Sequence, residues 1–428
     1  MTTSLITQHP FSDAYAGQAG RLPAALDGLR RDARARVAAG LPGSKVEEWR
    51  FTPLTDLAKV GFIPAVAADD IDVVAVPSDV PHVPGALRLV LVNGAYSADL
   101  SDKIDGVEVR RLADTQGVVG RVASLDLPLV ALNTAFVSDG LVIDAKKTIT
   151  RPIHIISIGA SGATPVAFHP RLAITTAPGA SVTVIESHVG LPGQPFFANP
   201  VAEISVAEDA TVRRYVTVTE EGDAYHFATA VVEVGARATF EAFHLGLGGH
   251  RAEGTARQEI HIAVKGEGAQ VNLGGAYAIA GTMHHDFTTV IDHCIGGSHS
   301  KQLFKGVLDD KSHGVYQGRV KVARDAQKTD ARQLHRALFL THGPAVDCKP
   351  ELEIDADDVQ CAHGATTGAL DPDQLFYLNA RGIHPDDARA LLVEGFLVDA
   401  LNEISNETVR DIFTAQVAGW LRRRGERS

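Results

Sequence analysis

A short turn-and-strand signature recurs through the middle of this 428-residue chain, and it narrows the possible fold more than any other feature. It reads Pro178-Gly-Ala-Ser-Val182, then Glu208-Asp-Ala-Thr-Val212, Val234-Gly-Ala-Arg-Ala238 and Glu267-Gly-Ala-Gln-Val271. Successive copies lie 26 to 33 residues apart, the repeat length of solenoid coils. One such coil cannot bury its own inner face, whereas stacked coils share a continuous apolar core. Around the copies run short β-branched segments such as Leu87-Arg-Leu-Val-Leu-Val92, Ile153-His-Ile-Ile-Ser-Ile158 and Ser181-Val-Thr-Val-Ile185, punctuated by turn residues. Forty glycines and only 6% aromatics suit many tight turns and closely stacked small side chains. The reading is a mainly β protein whose core, residues 89–370, is a right-handed parallel β-helix (a β-solenoid). A β-sandwich with Greek-key connections is the alternative.

Helical patterns flank this core. Leu22, Ala25, Leu26, Leu29, Ala33 and Val37 recur at helical spacing between Gly20 and Gly40, with Pro23 near the start. Glu47-Glu-Trp-Arg-Phe-Thr52 predicts a further helical turn, and residues 60–88 read as an irregular linker closing an N-terminal region, 1–88. After Asp371, a cap for a helix from Pro372, two more helices follow over Pro385 to Leu401 and beyond Asn406. Ala388, Leu391, Leu392, Phe396 and Leu397 form the apolar face expected of the middle helix. Residues 371–428 therefore read as a C-terminal α-helical domain.

Composition excludes several functions. A formal net charge of −12 disfavours nucleic-acid and anionic-membrane partners. Three cysteines argue against a disulfide framework and for a reducing, cytoplasmic setting. Met1 to Ala16 lacks the pattern of a secretory signal, and no apolar run is long enough to span a bilayer. There is no Gly-x-x-x-x-Gly-Lys-Ser/Thr loop, so phosphate binding of that kind is not expected of this chain.

The densest chemistry lies between Lys349 and Thr366, where five acidic residues, a cysteine and a histidine share one strand-and-turn. Cys361 and His363 sit two apart, which on a strand places them on the same face. A thiolate beside an imidazole is half of a soft-metal site. The structural alternatives are a small buried thiol and a hydrogen-bonded histidine. Asp355, Asp357 and Asp358 read as an acidic edge that discourages strand-to-strand aggregation rather than as a hard-cation site. His284, His285 and Asp286, or His293, Cys294 and His299, would form a metal cluster only if a bulge brought alternating residues to one side. Cys348 reads as structural.

Several longer motifs occur in one order: Gly40-Leu-Pro42 with Glu47 to Thr52, Ser300-Lys-Gln-Leu-Phe-Lys-Gly306, Ala326-Gln-Lys-Thr-Asp330, Lys349-Pro-Glu-Leu-Glu-Ile354, Ala356-Asp-Asp-Val359, Cys361-Ala-His-Gly-Ala-Thr366, Leu375-Phe-Tyr-Leu378 and Arg381-Gly-Ile383. Together they resemble the SufB/SufD family of iron–sulfur cluster assembly proteins, with an N-terminal motif of the SufD type. The resemblance implies a β-helix between helical domains. It also implies a non-ATPase scaffold role beside SufB, paired through late β-helix strands, and beside the ATPase SufC, gripped by the C-terminal helices. A homodimer is the expectation when SufB is absent. By the same resemblance, His363 and Cys361 are candidate ligands of iron or a transient iron–sulfur cluster. A cluster usually takes four protein ligands, so two from this chain imply a site shared with a partner.

Two rival functions remain at this level. A SufB-like scaffold would hold the cluster by itself. A carbohydrate-active β-helix enzyme would need paired carboxylates and aromatic platforms, yet Trp49 and Trp420, the two tryptophans, both fall outside the solenoid. The expectation is a scaffold without turnover of its own.

Overall fold

The computed structural model describes residues 26–65, 72–104, 108–115, 117–220, 224–249 and 254–425. Strands alternate between two sheets along the chain, so each coil adds one parallel strand to each sheet. The result is a β-solenoid of about 7 turns with helices towards both termini. His284 pairs with His313 on the next coil, and Gln333 pairs in the same way with His363. Antiparallel pairing is confined, among the described residues, to the beginning, where Leu87–Val92 meets Ala95–Ser97 and Val109–Arg111 meets Gly140–Ala145.

One corner of the solenoid explains the repeat. Gly179, Asp209, Arg237 and Gly268 occupy the left-handed region with φ of 72°, 57°, 52° and 72°. Their N–H groups donate up the stack: Gly179 to the Glu208 carbonyl, Asp209 to Ala236 and Arg237 to Glu267, at 2.8–2.9 Å. The buried alanine that follows each one is Ala180, Ala210, Ala238 or Ala269. The third copy of the signature therefore sits two residues later than the sequence alignment placed it, with Arg237 rather than Gly235 at the turn. That correction removes most of the unevenness in the repeat. A non-glycine residue in this region costs roughly 1–2 kcal/mol. Arg237 partly offsets the cost by bridging to Asp209 at 2.8 Å and to Glu208 on the preceding coil.

Inside, layers of Val, Ile, Leu, Phe and Ala from both sheets form one continuous core. Large rings fit because neighbouring coils offer glycine. The buried Tyr277 ring lies where a Cβ on Gly306 would overlap it.

Helices cover the two outer faces. On one sheet, α1 (Asp27–Ala38), the Glu47–Trp49 turn and α2 (Pro128–Phe136) pack Ala33, Val37, Trp49, Leu132 and Phe136 against Phe197 and Phe227. The expected positions Leu22, Pro23 and Ala25 lie outside the described residues. Helix α2 interrupts a span read as strands only. Its residues from Leu129 to Phe136 are all buried, so it carries no amphipathic period to detect.

On the opposite sheet, α3 (Pro372–Ala380), α4 (Pro385–Leu401) and α5 (Glu407–Gly425) follow the expected boundaries. The Asp371 carboxylate accepts from the Asp373 N–H at 2.9 Å, and the Asn406 side chain accepts from the Val409 N–H at 3.1 Å. The buried face of α4 is Ala388, Val393, Leu397, Ala400 and Leu401, whereas Leu391, expected on it, is 49% exposed. The difference arises because α4 packs on both the sheet and α5, which turns its apolar arc.

Two stability outcomes follow. Gly306→Ala overpacks the interior and should cost about 1–3 kcal/mol, read as a lower midpoint in urea; an unchanged midpoint contradicts the packing. Burial lowers His154 and His335 to about 4 and His285 to about 3. Unfolded histidines titrate near 6.5, so below that pH the unfolded state binds more protons. Stability is therefore full above pH 6.5 and should fall by at least about 1.4 kcal/mol per unit below pH 6, the slope of one such group. Urea titrations at pH 7.5, 6 and 5 check this, above the range where carboxylates titrate.

Candidate functional site

A stack of parallel strands must end, and here it ends open. Ala345–Ile354 pairs with His313–Val322, Gln360–Ala369 pairs with Asp330–Phe339, and no described strand takes the outer edge of either. Gln360–Ala369 carries no charge and no proline, and its residues are exposed except for half-buried Cys361 and Gly364. Exposed strand edges are normally protected by charge, proline or a covering element. This one has none of the three.

Cys361 and His363 lie on that edge strand, opposite Ala331 and Gln333 of the coil before. The two-residue spacing does set them on one side, the side that faces the solenoid interior. Cys361 packs on the apolar cluster of Val320, Val322, Ala326 and Ala331. Burial pushes its thiol up from the ordinary range; Asp330 adds to this and a backbone hydrogen bond at Ala331 partly offsets it. His363 is exposed. Among the described residues, no group of three or more His, Cys, Asp or Glu could hold a metal ion. At this edge the chain thus offers one thiol and one imidazole, with room for donors from outside.

A second thiol–imidazole pair joins the last strand of one sheet, Ala345–Ile354, to the next-to-last strand of the other, Asp330–Phe339. Cys348 Sγ is 3.1 Å from His335 Nδ1, and His335 Nε2 is 3.1 Å from Tyr277 Oη. The Tyr316 ring stacks on His335 at 5.0 Å. Burial, with Asp347 nearby, pushes the Cys348 thiol up to about 11, and burial lowers His335 to about 4. Both groups are therefore neutral, with the thiol donating to Nδ1. The sequence treated Cys348 as merely structural. Its partner lies thirteen residues away on the other sheet, a relation no local spacing reveals.

The remaining candidates separate. His284 faces outward beneath Thr52, while His285 is buried inside against Phe287, with no bulge between them. His293 is satisfied by Ser298 and Ser300 at 2.7 and 2.9 Å. Cys294 and His299 are exposed. The acidic stretch is partly neutralised by the coil before it: Asp358 pairs with Lys328, and Glu353 with Arg319 and Lys321.

The other motifs have structural work. Glu47 to Thr52 clasps three coils: Lys349 bonds Glu47 at 2.6 Å, Arg257 and Gln317 donate to the Glu48 carbonyl at 3.1 and 3.3 Å, and Arg257 lies 4.1 Å over the Trp49 ring. Lys301 and Lys305 reach the C-terminal helices through Glu403 at 2.7 Å and Asp399 at 2.5 Å. Phe376, Tyr377 and Leu391 on α3 and α4 remain 74%, 59% and 49% exposed.

A family model described as "SUF system FeS cluster assembly, SufBD core domain" matches residues 157–396. An iron–sulfur cluster assembly SufBD family protein of Synechocystis is 30% identical over 387 residues, covering 85% of this chain and 84% of that protein. The iron–sulfur cluster assembly protein SufD of Escherichia coli is 29% identical over 388 residues, 89% of each chain. The protein of the same name in Bacillus subtilis is 28% identical over 286 residues, 66% of this chain and 64% of its own.

The three thiols should differ in reactivity. Iodoacetamide at pH 7, followed by peptide mass spectrometry, is expected to label Cys348 slowest, with its rate still rising above pH 9 because the thiolate forms late. Labelling of Cys348 as fast as of exposed Cys294 would contradict its pairing with His335.

Proposed function

The chain belongs to the SufBD family of the SUF system for iron–sulfur cluster assembly, and we propose that it serves there as a non-ATPase scaffold subunit of the SufD type. One observation carries the reading: the neutral, unpaired edge of the last coil holds Cys361 and His363. A partner solenoid of the SufB kind adds its own strands to Gln360–Ala369 and Ala345–Ile354, so that backbone hydrogen bonds supply affinity and the inward side chains meet across the seam. The nascent cluster, as cargo, takes at most two donors from Cys361 and His363 and the rest from the partner. Without SufB, the same edge suits a second copy of this chain.

On this view residues 89–370 supply that seam, the described helix and turns within 26–59 brace one sheet and those within 371–425 brace the other. The exposed Phe376, Tyr377 and Leu391 of the C-terminal helices are, on the same view, the apolar side chains that the ATPase SufC buries. In this reading the chain turns over no substrate of its own and works in the cytoplasm.

Coexpression with SufB and SufC tests the assembly. His363→Ala, on an exposed side chain, should leave the complex intact on gel filtration. Cluster yield on anaerobic reconstitution should fall about tenfold or more, since loss of even an outer partner of a metal ligand costs about 10–100-fold. Parental yield would remove the ligand role. Phe376→Asp with Leu391→Asp should abolish SufC capture at unchanged thermal stability; retained capture moves that contact elsewhere.

A further inference from the structure

On the outer face beneath the N-terminal motif, on the sheet opposite the one that carries Cys361 and His363, two imidazoles meet. His284 and His313 are paired residues on adjacent strands, and their Nδ1 atoms lie 3.1 Å apart. Each Nε2 has an oxygen partner. His313 Nε2 is 2.8 Å from Asp347 Oδ2, and His284 Nε2 is 2.8 Å from Thr52 Oγ1, which lies 2.5 Å from Asp286 Oδ2.

The protons in this chain do not suffice. Carboxylates accept only, and Asp286 already accepts from Arg257 at 2.5 Å through Oδ2 and from Thr288 at 2.9 Å through Oδ1. The Thr52 hydroxyl therefore donates to Asp286, His284 Nε2–H donates to Thr52, and His313 Nε2–H donates to Asp347. A neutral imidazole carries one N–H. Both Nδ1 atoms are left with lone pairs facing each other at hydrogen-bond distance, an arrangement that needs a cation between them. Asp286, Glu259 and Asp347 against the single guanidinium of Arg257 make the surroundings net negative.

The cation is a proton shared in a bent N–H···N bond or a metal ion, and the ring positions match those of two imidazoles on one ion. A straight N–H···N bond of this length would hold the ring centres about 5.4 Å apart, but they are 4.8 Å apart at an interplanar angle of 71°. Two imidazole nitrogens each about 2.05 Å from one ion, subtending about 98°, give a nitrogen separation of about 3.1 Å and ring centres about 4.8 Å apart. We propose that His284 and His313 ligate a divalent first-row transition-metal ion of the zinc type through their Nδ1 atoms. Asp347 and Thr52 orient the two rings from behind, the usual arrangement around metal-bound histidine. No third protein ligand stands within reach among the described residues, so water completes the shell on the side of half-exposed His313. Because Thr52 belongs to the clasping motif, the ion fastens that motif to the solenoid. The proposal does not depend on cluster assembly.

The test uses tag-free full-length chain carrying Cys361→Ser and His363→Ala, which silences the open edge, stripped of metal by chelator. Titration with Co²⁺, followed by its visible bands, and competition with Zn²⁺ should give about one equivalent bound. His313→Ala should weaken it by at least tenfold, and Asp347→Asn by about 10–100-fold, with thermal melts confirming both variants folded. If the parent takes up neither ion, or His313→Ala binds as the parent does, the proposal is overturned.

Discussion

Everything in this molecule depends on parallel strands that hydrogen-bond from one coil to the next. A strand in mid-stack has both edges satisfied, and the corner ladder through Gly179, Asp209, Arg237 and Gly268 repeats the same logic at the turns. At its first end the stack finishes in the short antiparallel strands Ala95–Ser97 and Val109–Arg111; at its last coil no further strand follows among the described residues. There two strands side by side, Ala345–Ile354 and Gln360–Ala369, have no strand partner on their outer edge among the described residues, a cost the fold defers rather than avoids. The proposed function rests on that unfinished edge.

The helical regions show that the edge is spared rather than neglected. One group of helices and turns seals the outer face of one sheet through Trp49, Phe136 and Phe227, and the other seals the opposite sheet through Leu397, Phe413 and Trp420. Both are pinned by ion pairs: Lys349 to Glu47 on one side, Lys305 to Asp399 and Arg424 to Asp309 on the other. Neither covers Gln360–Ala369. A rigid, braced body with one bare neutral edge is suited to strand addition, because little ordering entropy remains to be lost on docking.

The solenoid was legible because its repeat is enforced by a local rule, a left-handed residue followed by a buried alanine. It was misaligned at one copy because arginine stands where glycine or aspartate was looked for, and Arg237 holds that conformation with help from the neighbouring coil. Helix α2 escaped notice because burial on all sides erases the period by which helices are seen. That Cys361 and His363 share one side of a strand was legible from their spacing. Cys348 with His335, and His284 with His313, were not: each pair is made by register between strands, which sequence spacing does not encode. The motif Glu47 to Thr52 could be recognised but not explained until its contacts with Arg257, Gln317 and Lys349 were seen.

Hydrogen exchange across complex formation tests the central claim most directly. In the free chain, the outward amides of 345–354 and 360–369 should exchange fast while those of the preceding coils are protected. On binding a SufB–SufC pair they should become protected by several orders of magnitude, with the interior coils unchanged. If those segments exchange at the same rate in the assembled complex, the last coil is not where the partner joins.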